Sequence, residues 1–185
     1  CCSTSGPGAT NLLTGVASAY ADGIPLLVIT AQPSIEKFGL GAFQEGSCTG
    51  ISTVSMFESC TRYNTLVSHP AQLENKLLQA ISYTCSNRPG PAHLSVPSDI
   101  MRAKVEPKYG DQHLRAFINH DVVTSAKGID LLLRYLSDSR KVTFVIGEGC
   151  AGGMRELLTL AEAQDWLLVT TPMAKGLISD FHPLY

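Results

Sequence analysis

The sequence predicts an α/β fold of mostly parallel, doubly wound sheets, divided into two partial domains. Three observations predict it. Short continuous apolar runs such as Leu26-Leu27-Val28-Ile29 fit strands buried on both faces, as in parallel sheets. Helix-patterned segments separate such runs, giving the order β-α-β-α-β-α-β through residue 96. The rhythm then breaks over a polar stretch and restarts at Val123.

Each element has a local reason. The opening residues read as a strand that turns on Gly6-Pro7-Gly8 into a helix over 9–21. That helix carries small residues (Gly15, Ala17, Ser18, Ala19, Ala21), which would let it approach its neighbours closely. Asp22-Gly23-Ile24-Pro25 is a turn before the strand 26–30. A short helix over 49–58 follows, with Thr49 or Ser52 as its cap, and then a strand over 61–67. The helix 71–85 after Pro70 is amphipathic, with Leu73, Leu77, Leu78 and Ile81 on one face. Arg88-Pro89-Gly90-Pro91 ends it, and 92–96 is the next strand. After the break come a helix over 123–136, a strand over 142–146, a helix over 151–164 and a strand over 166–170. The divisions read as 1–103, a linker over 104–122, and 123–185.

The totals narrow the function classes. The chain has 185 residues, 44% of them hydrophobic and 16% charged, a composition suited to a globular interior. A net charge of −2 without a Lys or Arg block gives no nucleic-acid or membrane-surface footprint. The longest apolar runs are too short to cross a bilayer. Six cysteines without a CxxC or a ligand spacing to the five histidines point to free cytosolic thiols, with no metal ligands. There is no initiator Met, and both ends read as cut, so a fragment of a longer protein is expected.

Two stretches carry candidate function. The Gly6 turn aims free helix N–H groups and a positive dipole end forward, as a cofactor or anion platform does; a plain tight connection is the alternative. The loop 31–47 leaves the carboxyl end of a parallel strand, where ligands bind in open α/β sheets. It sets Phe43, Gln44 and Glu45 side by side, more chemistry than a connector needs. Two other features read as structure. His93, His113 and His120 lie in or next to the polar stretch 97–121 and match no metal template, which suits linker surface. The turn Gly147 to Gly153 approximates a dinucleotide loop only loosely.

Four ordered motifs carry a resemblance. Thr4-Ser5-Gly6-Pro7-Gly8-Ala9-Thr10-Asn11, Asp22-Gly23-Ile24-Pro25, Ala42-Phe43-Gln44-Glu45 and Arg88-Pro89-Gly90-Pro91 occur in the order and spacing of thiamine-diphosphate-dependent enzymes. Within that family the chain looks most like the acetolactate (acetohydroxyacid) synthases. Residues 1–103 resemble the latter part of the pyrimidine-binding domain, and 123–185 the first part of the central domain, including Lys175-Gly176 and His182-Pro183-Leu184.

The resemblance implies a transferase or lyase that decarboxylates a 2-oxoacid such as pyruvate and passes the two-carbon unit to an acceptor. It implies thiamine diphosphate and Mg2+, with FAD a further candidate, and a cytoplasmic homodimer or homotetramer. The family's activating glutamate and its Mg2+-diphosphate segment fall outside these residues, so this piece alone is expected to be inactive. Carried over by motif, Phe43 and Gln44 face the substrate. Ser5, Gly6, Pro7, Gly8 and Asn11 lie near the cofactor and the subunit contact, and Arg88 matches a residue that touches FAD. Two departures keep other members open. Ser98 follows Val96-Pro97 where acetolactate synthases usually have lysine, and Thr170 to Gly176 resembles members without FAD. A sulfoacetaldehyde acetyltransferase-like enzyme, another 2-oxoacid decarboxylase, or a non-catalytic nucleotide- or flavin-binding module are the alternatives.

Overall fold

The computed structural model describes residues 1–47, 50–110, 115, 118 and 124–185. They fall into two units, Cys1–Asp121 and Val122–Tyr185. Thr49, His113 and His120, singled out in the sequence, lie outside the described residues.

The first unit is a four-stranded parallel sheet in the order β1-β2-β4-β3, formed by β1 (Cys2–Ser3), β2 (Leu26–Gln32), β3 (Tyr63–Leu66) and β4 (Pro91–Pro97). β2 and β4 pair over seven residues, from Leu26 opposite Pro91 to Gln32 opposite Pro97. All seven residues of β4 are buried, the polar His93 and Ser95 included. Helices cover both faces, so the sheet is doubly wound. Val28 and Leu26 point toward α1 (Pro7–Ala21) and α2 (Thr53–Glu58), where Ala9, Val16, Phe57 and Cys60 close one core. Leu27 and Ile29 point the other way, to α3 (Leu73–Thr84), and join Val67, Ala80, Ala92, Leu94 and Val96. The alternation of the strand thus divides one sequence run between two cores.

Several boundaries and faces differ from the sequence reading. α1 starts at Pro7, two residues early, because the first helical position needs no N–H donor. Its small residues do not mediate close packing inside this unit: Gly15, Ala17, Ser18 and Ala21 are exposed, and only Ala19 is buried. The helix uses Ala9, Leu12, Leu13, Val16 and Tyr20 against the sheet, which turns the small residues outward. α2 begins at Thr53 with Ser52 as its cap, the Ser52 Oγ accepting from the Ser55 N–H at 3.2 Å. On α3, Leu73, Leu77 and Ala80 form the stripe toward β4. After β4 the chain keeps to the first unit through residue 109. It forms α4 (Ser98–Arg102) with Ile100 in the core, and the Lys108 and Tyr109 N–H groups bond the Glu74 carboxylate at 2.8–2.9 Å.

His93 overturns its sequence reading. It is fully buried in the middle of β4 and stacked on Phe57 with ring centroids 4.3 Å apart. The Asn64 carboxamide oxygen stands 2.7 Å from Nδ1, and the Thr30 hydroxyl 2.8 Å from Nε2. Because the Asn64 oxygen only accepts, Nδ1 carries the proton and Nε2 accepts from Thr30, which satisfies the neutral ring completely. Burial pushes its pKa down to about 4. The consequence is acid sensitivity. The unfolded chain takes up this proton below about pH 6.5 and the folded chain only near pH 4, so stability is lost as pH falls through that window. The full loss amounts to about 3 kcal/mol. Urea unfolding from pH 7 to pH 4 should show this slope, and the His93→Gln variant should lack it. Parallel curves would refute the assignment.

In the second unit, α5 (Ala126–Asp138) buries none of its residues. β5 (Thr143–Ile146) and β6 (Leu167–Thr170) are parallel. Ile146, Leu168, Met154, Ala161 and Ile178 form the core against α6 (Met154–Gln164), with Phe144 and Trp166 edge to face at 5.4 Å. Gly147 to Gly153 does not open a helix at residue 151. Glu148–Gly153 is a 3-10 turn and α6 starts at Met154, since consecutive glycines are poor helix formers. A Cβ at Gly147, Gly149, Gly152 or Gly153 would meet nothing within 4 Å, so no close backbone approach explains these glycines. No helix among the described residues is long and apolar enough to cross a membrane.

Candidate functional site

The Gly6 turn and the loop after β2 meet at the carboxyl edge of the first sheet. Gly6 sits at φ 61° and ψ −124°, a conformation reserved for glycine, and its carbonyl takes the first helical bond from the Thr10 N–H at 3.1 Å. Pro7 then enters α1, and Gly8 packs so closely on Thr4 that a Cβ would lie 2.6 Å from the Thr4 methyl. Ser5 is half-buried.

The loop is closed by polar contacts rather than by secondary structure. Gln32, the last residue of β2, is 3% exposed. Its Oε1 accepts from the Gly46 N–H at 3.0 Å, and its Nε2 faces the Gly46 carbonyl at 3.3 Å and the Thr53 hydroxyl at 3.1 Å. Glu45 accepts from the Gly39 N–H at 2.8 Å and from the Ser47 hydroxyl. Between these ties Gln44 adopts φ 56°, rare for a non-glycine residue. Its side chain lies directly over Gly6: a Cβ there would sit 2.8 Å from the Gln44 Cβ. Gly6 is therefore glycine for two reasons, its backbone angle and the seat it gives Gln44.

Two hollows flank this contact. One, of about 280 Å³, is lined by Gly6, Pro7, Thr10, Gln44, Glu45, Gly46, Ile51, Thr53 and Met56. The other, of about 380 Å³, is lined by residues including Thr4, Ser5, Lys37, Phe43 and Ser98. Phe43 is 85% exposed, an unusual state for so large an apolar ring. So the structure joins Gly6, Pro7 and Gln44 at one hollow, and Ser5 and Phe43 at the next. It does not bring the other three, Gly8, Asn11 and Arg88, to either hollow. Asn11 is exposed on α1, and Arg88 is exposed before β4 begins, at the amino edge of the sheet.

The first hollow has a chemical character of its own. Ile51, Met56 and Pro7 give it apolar walls, Gln44, Thr10 and Thr53 offer uncharged polar groups, Glu45 brings a carboxylate to its rim, and no Lys or Arg lines it. Among the described residues no group of three or more His, Cys, Asp or Glu could hold a metal ion. An uncharged ring with a few hydrogen-bonding groups suits such a space. Sequence reasoning missed Gln32, Gly46, Thr53 and Met56. Gln32 alone left a signal, as a polar residue closing an apolar strand.

Comparison with known proteins gives a consistent result. The description "Thiamine pyrophosphate enzyme, N-terminal TPP binding domain" matches residues 1–52, and "Thiamine pyrophosphate enzyme, central domain" matches 129–185. The chain is 32% identical to a probable acetolactate synthase large subunit of Methanocaldococcus jannaschii, covering 100% of this chain and 31% of that protein. It is also 32% identical to an acetolactate synthase of Arthrospira platensis, covering 100% of this chain and 32% of the relative. Against acetolactate synthase isozyme 2 large subunit of Escherichia coli it is 35% identical, over 80% of this chain and 26% of that one. The chain thus spans about a third of the length of the curated relatives it matches. By both domain matches and by these relatives, the chain belongs to the thiamine pyrophosphate enzyme family.

Proposed function

We propose that this chain forms part of a thiamine-diphosphate-dependent 2-oxoacid carboligase of the acetolactate synthase kind. It would decarboxylate pyruvate and transfer the two-carbon unit to an acceptor. The observation that carries the reading is Gln44 seated on Gly6, which joins two of the family-like motifs at the carboxyl edge of a parallel sheet. Residues 1–103 would then be the latter part of a pyrimidine-binding domain and 123–185 the first part of a central domain, as the positions of the two domain matches support.

The residues fit one end of the cofactor. The hollow of Gly6, Pro7, Thr10, Gln44, Ile51 and Met56 suits an uncharged heteroaromatic ring. It does not suit a diphosphate with Mg2+, since no basic residue lines it; those groups are assigned to a part of the protein outside this sequence. When bound, thiamine diphosphate supplies the nucleophilic carbon and electron sink that 2-oxoacid decarboxylation needs. The chain's own contribution is placement. Phe43 excludes water beside the reacting centre, and Gln44 donates or accepts a hydrogen bond without adding charge. Ser5, Gly6, Pro7, Gly8 and Asn11 shape the backbone at the turn and the adjoining subunit face. Arg88 is the contact proposed for FAD; a flavin held there would lie at the sheet's amino edge. The exposed residues of α1 support a homodimer or homotetramer, and the free thiols of Cys1, Cys2, Cys60, Cys85 and Cys150 support a cytoplasmic setting.

A specific observation favours a second reading. Ser98 stands at the Phe43 hollow, 3.1 Å from the Ser34 hydroxyl, where the acetolactate synthases usually carry a lysine. A different acceptor or 2-oxoacid, as in a sulfoacetaldehyde acetyltransferase-like enzyme, follows from a changed charge there. The test is the full-length protein with thiamine diphosphate, Mg2+ and pyruvate. Release of CO2 with acetolactate is expected. CO2 without acetolactate, or neither product, would count against the first reading, and a panel of other 2-oxoacids, sulfoacetaldehyde and acceptors would then decide the second. Gln44→Ala should lower turnover roughly tenfold or more, while changing folding stability by less than about 0.5 kcal/mol, as is usual for a loop residue away from the core. Equal turnover removes Gln44 from the site.

A further inference from the structure

We propose that Gln32 is a positioning residue for the reaction assigned above, a buried amide latch that fixes two walls of the Gly6 hollow at once. This rests on the reading of Gln44 as a substrate-facing group. Three observations support it. Gln32 does not line the Gly6 hollow, yet both residues it binds there, Gly46 and Thr53, do. Gly46 belongs to the loop that carries Gln44, and Thr53 is the first residue of α2, on a different segment of the chain. One side chain therefore sets the spacing between loop and helix.

The contacts also explain why the residue is an amide. The Gly46 N–H needs an acceptor, while the Gly46 carbonyl and the Thr53 hydroxyl face the amide nitrogen. Only a carboxamide offers both functions without charge, and a buried donor or acceptor left unpaired is costly. A carboxylate in place of the amide would accept from the Gly46 N–H but set a second acceptor against the Gly46 carbonyl; a leucine side chain would serve neither group. Gly46 is matched to the latch as well. A Cβ there would collide with the Thr53 hydroxyl and the Gln32 amide, so the backbone comes close enough to bond only as glycine. The Gly46 N–H bond is two residues from Gln44, whose left-handed backbone is held between it and the Glu45 tie to Gly39. Releasing Gly46 lets Gln44 leave its seat on Gly6, and displacement of about 1 Å near a reacting centre is enough to cut turnover heavily.

The experiment uses the full-length protein with thiamine diphosphate, Mg2+ and pyruvate, and the variants Gln32→Leu and Gln44→Ala, singly and together. Gln32→Leu should lower kcat roughly tenfold in the wild-type background, and by less than about twofold in the Gln44→Ala background, because one acts through the other. Equal losses in both backgrounds would mean a general structural role and overturn the proposal. Gln32→Met, of similar length and without either polar function, replaces the leucine variant if that one fails to fold, with the same expected pattern. Hydrogen exchange supplies an independent readout. The peptide covering 44–47 should exchange faster in the Gln32 variant while β4 keeps its protection; unchanged exchange at 44–47 overturns the latch itself. If Gln44→Ala alone leaves turnover intact, the reading of Gln44 fails and the positioning role falls with it, which the exchange result distinguishes from failure of the latch.

Discussion

Phe57→Ala should lower the stability of the first unit by about 3–5 kcal/mol, the range for truncating a fully buried phenylalanine. The ring is completely buried in α2 and stacks on His93 at 4.3 Å with an interplanar angle of 25°. It fills the space between α1, α2 and β2, where Ala9, Val16, Val28 and Cys60 are too small to close over a void. The site feels the same change, since α2 also supplies Thr53 and Met56 to the Gly6 hollow. Equilibrium urea unfolding measures it. A loss below about 1 kcal/mol would mean that the ring does not anchor α2 as described. The substitution should also shift the pH response. With the ring gone, water reaches the imidazole, the desolvation that holds His93 down weakens, and its pKa rises back toward 6.5. The acid window then narrows from its lower side. Phe57→Leu, which retains most of the volume, should show much smaller effects on both counts.

Under the proposed function, Gly6→Ala should cut turnover of the full-length protein by roughly a hundredfold, the scale expected when a group proposed to face the substrate is displaced. Two penalties coincide there. The backbone sits at φ 61°, strained for any residue with a Cβ, and the added methyl would lie 2.8 Å from the Gln44 Cβ and 2.9 Å from its Cγ. The strain alone costs on the order of 1–3 kcal/mol; the collision moves Gln44. Gly23→Ala separates the two. Gly23 has φ 67°, but a Cβ there meets only the Pro89 carbonyl at an ordinary 3.7 Å. It should destabilise to a similar degree and leave turnover within about threefold of wild type, since no site residue moves. If Gly6→Ala and Gly23→Ala reduce turnover equally, the contact between the turn and Gln44 has no part in the reaction.

Part of the fold could be read from local pattern, because the central strands of the first sheet lie between two layers of helices. Leu26 to Ile29 and the residues of β4 allow few other readings. Helix ends were less legible where glycine or proline admitted two outcomes, as at Pro7 and at Gly152-Gly153. Faces were least legible where residues were neither strongly apolar nor charged. The small residues of α1 suit close packing and exposure alike, and only the position of Val16 and Tyr20 on the sheet turned them outward. His93 failed for a related reason. A histidine beside a polar stretch resembles surface until Thr30, Asn64 and Phe57, from three other segments, close around it.

By itself the sequence determined the α/β class, the strands and the longer helices of both units, and the ordered motifs that carry the family. These are properties of consecutive residues, set by side-chain hydrophobicity and by the backbone freedom of glycine and proline. Only the tertiary structure decided which motif touches which. Gln44 and Gly6 lie far apart in the chain, and nothing in either segment encodes the other's position. Their contact exists because β2 pairs beside β1, which brings both loops to one edge, and because Gln32 ties Gly46 and Thr53 together beneath them. The parallel register that unites Gly6 with Gln44 also sets Arg88 at the opposite edge, since β4 begins where β2 begins.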